Sequence, residues 1–108
     1  MGTRRVDVAT RRSYTRCVRF EWDEAKREAN LRKHGIDFID IAPLFEGYTV
    51  TIEDERFAYG EQRFVTFGVL EGRVVAVVHT ESADVIRIIS IRKATRSEEA
   101  SYFSTLSN

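Results

Sequence analysis

Phe20-Glu21-Trp22-Asp23-Glu24-Ala25-Lys26-Arg27-Glu28-Ala29-Asn30-Leu31-Arg32-Lys33-His34-Gly35-Ile36-Asp37-Phe38 is the most informative run of this chain. Val18 to Trp22 reads as a short edge strand. Asp23 is a good N-cap for a helix through Lys33, with Glu24 in the favourable first turn. Trp22, Ala25 and Ala29 share one side and are expected to pack inward. Gly35 supplies the left-handed position that ends the helix, and His34 sits at its negative end. Asp37 then caps a second helix. Phe38, Ile41, Ala42 and Phe45 recur at helical spacing, and Pro43 is expected to distort that helix.

Downstream, the periodicity changes to that of strands. Tyr48–Glu53 alternates weakly, and Arg63–Leu70 is rich in Val, Phe and Thr. Glu71-Gly72 is a tight turn into Arg73–Thr80, so this pair reads as a hairpin. Val85–Arg92 carries apolar groups on both faces, as a central strand does. Thr95-x-x-Glu98 is a capping box opening a last helix, with Ala100 and Phe103 expected inward. The fold class expected is α+β: two N-terminal helices, an antiparallel sheet of about four strands and a C-terminal helix.

Upstream, residues 1–19 hold six arginines against one aspartate and show no clear periodicity. They read as a flexible basic N-terminal arm, leaving residues 20–108 as a single domain. Lys and Arg together number 17, as do Asp and Glu, so a nucleic-acid site must be a local patch. Residues 46–62 carry five acids against Arg56 and are unsuited to binding phosphate. Cys17 is the single cysteine, so no intrachain disulfide forms, and a reducing compartment is expected. No Cys/His set suits a structural zinc site, and neither metal nor cofactor is expected. The longest apolar run, Val74 to Val78, is too short to span a membrane, and no secretory signal is visible. A cytoplasmic protein without membrane association is expected.

Three ordered segments carry a resemblance: FEWDEAKREANLRKHGIDF at 20–38, TIEDERFAYGEQRFVTFG at 51–68 and VVHTESADVIRIISIRKATRSEE at 77–99. The chain from Phe20 to Tyr102 resembles the BrnT family of bacterial type II toxins. The resemblance implies a RelE-like fold, RNA cleavage that stops growth, and a small antitoxin partner, BrnA. Operator DNA would be reached only through the antitoxin's DNA-binding part. Residues 1–19 lie outside the pattern.

Metal-free RNA cleavage uses the substrate's own 2′-hydroxyl as nucleophile. The protein must position it, move two protons and stabilise charge on the phosphorane. Arg suits the last task, because its planar fork grips two phosphate oxygens. Arg92, Lys93 and Arg96 at the last strand–helix junction, with Arg87, are the phosphate-binding candidates; the alternative is solvated charges paired with Glu98 and Glu99. Strict alternation sends Arg87 and Arg92 to opposite faces unless the strand bulges near Ile91. Arg87 in a central strand is expected to pair with an acid such as Glu53. His34 reads either as a helix-end cation or as a catalytic group. His79 reads either as a buried, hydrogen-bonded imidazole or as a proton carrier. RelE-like enzymes use a C-terminal aromatic to position a base, a role the resemblance offers Tyr102; core packing is its alternative, though Phe103 better suits that task. Arg56, Glu61 and Arg63 are candidates through the middle motif.

Two functions follow. One is a ribonuclease toxin whose distant cations converge on a single pocket. The other is a non-catalytic partner-binding module that tunes a transcriptional repressor. Direct DNA binding is disfavoured, since no helix-turn-helix spacing is visible.

Overall fold

The computed structural model describes residues 3–9, 17–54 and 62–107. Along the chain run β1 (Thr3–Ala9), β2 (Cys17–Asp23), α1 (Glu24–His34), a 3-10 turn (Phe38–Asp40), α2 (Ile41–Glu46), β3 (Val50–Asp54), β4 (Arg63–Leu70), β5 (Arg73–Ser82), β6 (Val85–Lys93) and α3 (Arg96–Ser107). Among the described residues, six strands form one sheet in the order β1-β2-β6-β5-β4-β3. The α+β class holds, but the sheet is larger than four strands and mixed, because β2 pairs in parallel with β6. β1 runs antiparallel to β2, so β2 is internal rather than an edge strand, and the segment expected to be an arm contains a strand.

Local signals set most boundaries. Asp23 accepts hydrogen bonds from the Ala25 and Lys26 amides at 2.8 and 3.3 Å. Gly35, at φ 72°, ends α1 by donating its N–H to the Leu31 carbonyl at 2.9 Å. The β4–β5 turn has Glu71 and Gly72 both at positive φ, the two-residue geometry that matches strand twist. The capping box forms in both directions: Thr95 N–H to Glu98 Oε1 at 2.9 Å, and Glu98 N–H to Thr95 Oγ1 at 3.1 Å.

The second helix departs from expectation. It is split into the 3-10 turn and a helix restarting at Ile41, so Pro43 falls within the first turn of α2. There the missing N–H costs no intrahelical bond, and the distortion is displaced upstream.

Helices cover the two sheet faces unequally. Phe20, Trp22, Ile86, Ile88, Ile91, Val75 and Val77 pack with Phe38, Ile41, Leu44 and Phe45 of the 3-10 turn and α2. Phe20 and Phe45 meet at a tilt at 5.2 Å, and Trp22 meets Phe38 edge-on at 6.2 Å. On the opposite face α3 contributes Tyr102 to a smaller cluster with Val65, Phe67, Val74 and Ala76. Ala100 and Phe103 are exposed instead, because the helix presents Tyr102 to the sheet.

α1 also differs from the sequence reading. Ala25 and Ala29 are exposed, and Asn30 is the one buried residue of the helix. Polar contacts hold it down. Arg27 grips Asp37 through two hydrogen bonds of 2.7 and 3.0 Å and reaches Glu24 at 2.9 Å. That grip holds the Asp37 carboxyl below the usual carboxylate range.

Candidate nucleic-acid interface

β6 carries the decisive irregularity. Its register against β5 shifts between Val78 and His79: Val78 pairs with Ser90, but His79 pairs with Ile88. Ile89 is the extra residue of a β-bulge. Cross-strand partners share a face, so Ile86, Ile88 and Ile91 all point into the α2-side core. Arg87 and Arg92, five positions apart, therefore lie on one face, that of α3. The pairings of Thr80 with Arg87 and of Ala76 with Arg92 give the same result. Arg63 joins them, two positions before Val65, which pairs with Val78.

Arg92 and Arg87 each pair with an acid. Arg92 makes a two-pronged ion pair with Glu98, at 2.8 and 3.0 Å. That contact, with bonds from Thr95, pulls the Glu98 pKa down to about 2. A carboxylate so acidic is a poor proton acceptor at neutral pH and instead holds Arg92 at the strand–helix junction. Arg87 pairs with Glu21, its register neighbour on β2, at 3.2 Å rather than with Glu53, which accepts from Gln62. Arg96 is exposed at the start of α3. Arg56 and Glu61 lie outside the described residues.

The remaining candidates do not converge there. Lys93 pairs with Val75 and belongs to the other face. It lines a cavity of about 90 Å³ with His34, Asp37, Asp40, Glu71 and Arg73. The single pocket expected from sequence is thus divided by the sheet: Arg63, Arg87 and Arg92 on one side, Lys93 and His34 on the other.

His79 is fully buried. Its ring stacks on Phe64 at 5.9 Å and meets Phe45 edge-on at 5.7 Å. Nε2 lies 2.7 Å from Thr66 Oγ1, which continues to Thr51 Oγ1 at 2.8 Å, while Nδ1 lies 3.6 Å from Glu81 Oε2. The ring is thus buried and hydrogen-bonded through Nε2. Tyr102 is buried, donates its hydroxyl to the Tyr48 carbonyl at 2.9 Å and packs edge-on against Tyr48. Burial raises its pKa. Among the described residues, no group of three or more His, Cys, Asp or Glu side chains could hold a metal ion. No helix among them is long and apolar enough to cross a membrane.

Sequence reasoning missed Asn30. Its Nδ2 donates to the carbonyls of Ile36 and Ile91, each at 3.0 Å, and its Oδ1 accepts the Ile91 amide at 3.1 Å. An asparagine in mid-helix, poor in helix propensity, was the available signal.

Fold and site together define a small α+β protein with arginines aligned on one face of its sheet. The family model for the ribonuclease toxin BrnT of type II toxin–antitoxin systems matches residues 22–98, and the chain belongs to that family. Among curated proteins, none matches. Membership assigns the toxin role within a toxin–antitoxin pair and the ribonuclease class of activity.

Proposed function

We propose that this chain cleaves RNA on the α3 side of its sheet without a metal ion: the substrate's 2′-hydroxyl gives its proton to water and bonds to the adjacent phosphorus, the P–O5′ bond breaks, and the departing 5′-oxygen takes a proton from water. The observation that carries this reading is the bulge at Ile89, which turns Arg87 and Arg92 to one face. Charge on the phosphorane is met by Arg92, with Arg87, Arg63 and Arg96 binding flanking phosphates. The two strand arginines stand roughly 15 Å apart along β6, so they engage different phosphates of one strand. Their ion pairs do not forbid this. The Arg92 and Glu98 side chains are 36% and 28% exposed, and such pairs contribute about 1 kcal/mol or less. A bidentate phosphate contact is at least as strong. A small DNA-binding antitoxin of the BrnA kind neutralises the toxin and carries the complex to operator DNA, and the site of action is the cytoplasm.

The test is digestion of RNA by the purified chain in a chelator. Cleavage unaffected by the chelator, leaving 2′,3′-cyclic phosphate ends, is the expected result. Intact RNA, or dependence on added divalent metal, overturns the mechanism.

A second reading is a non-catalytic module that tunes its partner's repressor. The acid-paired arginines and the core position of His79 favour it. Antitoxin binding by a chain that leaves RNA intact would select it.

A further inference from the structure

β2 pairs with β6 only where Arg19–Glu21 face Val85–Arg87, and then leaves the sheet as α1. Beyond that point α1, not a strand, lies beside β6, and Asn30 takes over the hydrogen bonds of Ile91. The substitution leaves an open groove of about 290 Å³ between helix and strand, lined by Lys26, Asn30, Lys33 and His34 of α1 and by Ile89 and Ser90 of the bulge. Ala29, small and exposed, adds no bulk that would close it.

The charge of this groove is one-sided. No acid lines it. Lys26, Lys33 and His34 make no ion pair with a described residue, in contrast to Arg27, Arg87 and Arg92. In a chain of zero net charge, two unneutralised lysines gathered in one groove create a local positive field. Lys26 and Lys33 are two helical turns apart, roughly 10 Å along the axis, so they reach separate anionic groups. Apart from Ile89 the lining is polar or charged except for one alanine, so it offers few of the apolar pockets that anchor a peptide. Ser90 pairs with Val78 and belongs to the arginine-bearing face, so that face and the groove meet at the bulge.

We propose that the α1–β6 groove is a second phosphate-binding stretch, holding single-stranded RNA that continues past Ser90 from the arginine-bearing face. The proposal rests on the RNA reading above. It gives the bulge two roles: aligning the arginines and forming the lip over which the strand turns. It also assigns His34 to backbone binding rather than to proton transfer.

The test is anisotropy titration of the full chain with a labelled single-stranded 2′-O-methyl RNA, which lacks the nucleophile and stays intact. Lys26→Gln/Lys33→Gln is compared with wild type over a range of salt. The expected result is about tenfold weaker binding at low salt and a log–log salt slope smaller by about 1.4, as loss of two single-strand phosphate contacts requires. Both lysines are exposed, so the thermal midpoint should not move. An unchanged slope overturns the groove. So does a variant that loses an acidic peptide, polyglutamate, while keeping RNA. Cleavage of unmodified RNA is scored separately. A wild type that binds with the expected slope but does not cut sinks the nuclease reading and leaves the groove standing; one that cuts while the slope stays unchanged does the reverse.

Discussion

Asn30 pairs with Ile91 as a neighbouring strand would, accepting its amide at 3.1 Å and donating to its carbonyl at 3.0 Å. β6 needs this because β2 has already left the sheet to become α1. The same side chain closes the α1 turn through the Ile36 carbonyl. Asn30→Ala removes three hydrogen bonds and strands two backbone groups of a buried residue, so we expect a loss of about 3 kcal/mol in urea unfolding. Exchange of the Ile91 amide should accelerate in step. A variant with unaltered midpoint and exchange would mean the bridge is dispensable.

Of the two bulge-aligned arginines, Arg92 is expected to act in the transition state. Arg87→Ala, at a flanking phosphate, should weaken RNA binding more than it slows cleavage. Arg92→Ala should lower the single-turnover rate of RNA cleavage by about 10²-fold, the scale for removing one charge-stabilising donor. Affinity for uncleavable RNA should fall far less. Lys93→Ala, on the opposite side of the sheet, should change the rate little. Equal losses for all three would return the chemistry to a pocket that the sheet does not divide.

Glu98 links stability to acid. Its folded-state pKa of about 2 lies below the ordinary 4.5, so the fold favours the ionised form. The stabilisation is present above the ordinary value and is lost as pH falls from about 4.5 toward about 2. Thermal midpoints of wild type should therefore drop through that window more than those of Glu98→Gln. Glutamine keeps an oxygen for the Thr95 amide but releases Arg92 from a full charge. RNA should bind this variant up to about fivefold more tightly, the equivalent of one exposed ion pair. Weaker binding would show Glu98 orienting Arg92 rather than competing for it.

His79 fills the core between Phe45 and Phe64 while satisfying Thr66. His79→Ala should cost about 3 kcal/mol, from a cavity plus an altered hydroxyl chain. At a temperature where the variant is fully folded, its cleavage rate should stay within about threefold of wild type, since general acid–base groups contribute at least about 10²-fold. A hundredfold loss in folded protein would return the imidazole to proton transfer.

Gly68 is demanded by close packing rather than by its backbone angles. A Cβ there would lie 2.8 Å from Leu44 Cγ and 2.9 Å from Leu44 Cδ2. Leu44 is itself buried in the α2 turn and has little room to withdraw. Gly68→Ala should cost about 2 kcal/mol through overpacking, and Leu44→Ala should cost less in that background than in wild type. Additive losses in denaturant titrations would mean the two sites do not touch.

Elements that rest on neighbours along the chain were readable from residue order alone. Asp23, Gly35, the Glu71-Gly72 turn and the Thr95–Glu98 box fix where helices and hairpin begin and end, since caps and turns close within a few residues. The hairpin strands and the central position of β6 were legible for the same reason, as was the family likeness. What joins distant segments was not. The parallel pairing of β2 with β6, the addition of β1, the choice of Tyr102 over Phe103 and the pairing of Arg87 with Glu21 each depend on which surfaces meet after folding. The bulge at Ile89 is the sharpest case. Ile88, Ile89 and Ile91 are equally apolar, so composition conceals which one is extra, and only packing against α2 decides that Arg87 and Arg92 share a face while Lys93 does not.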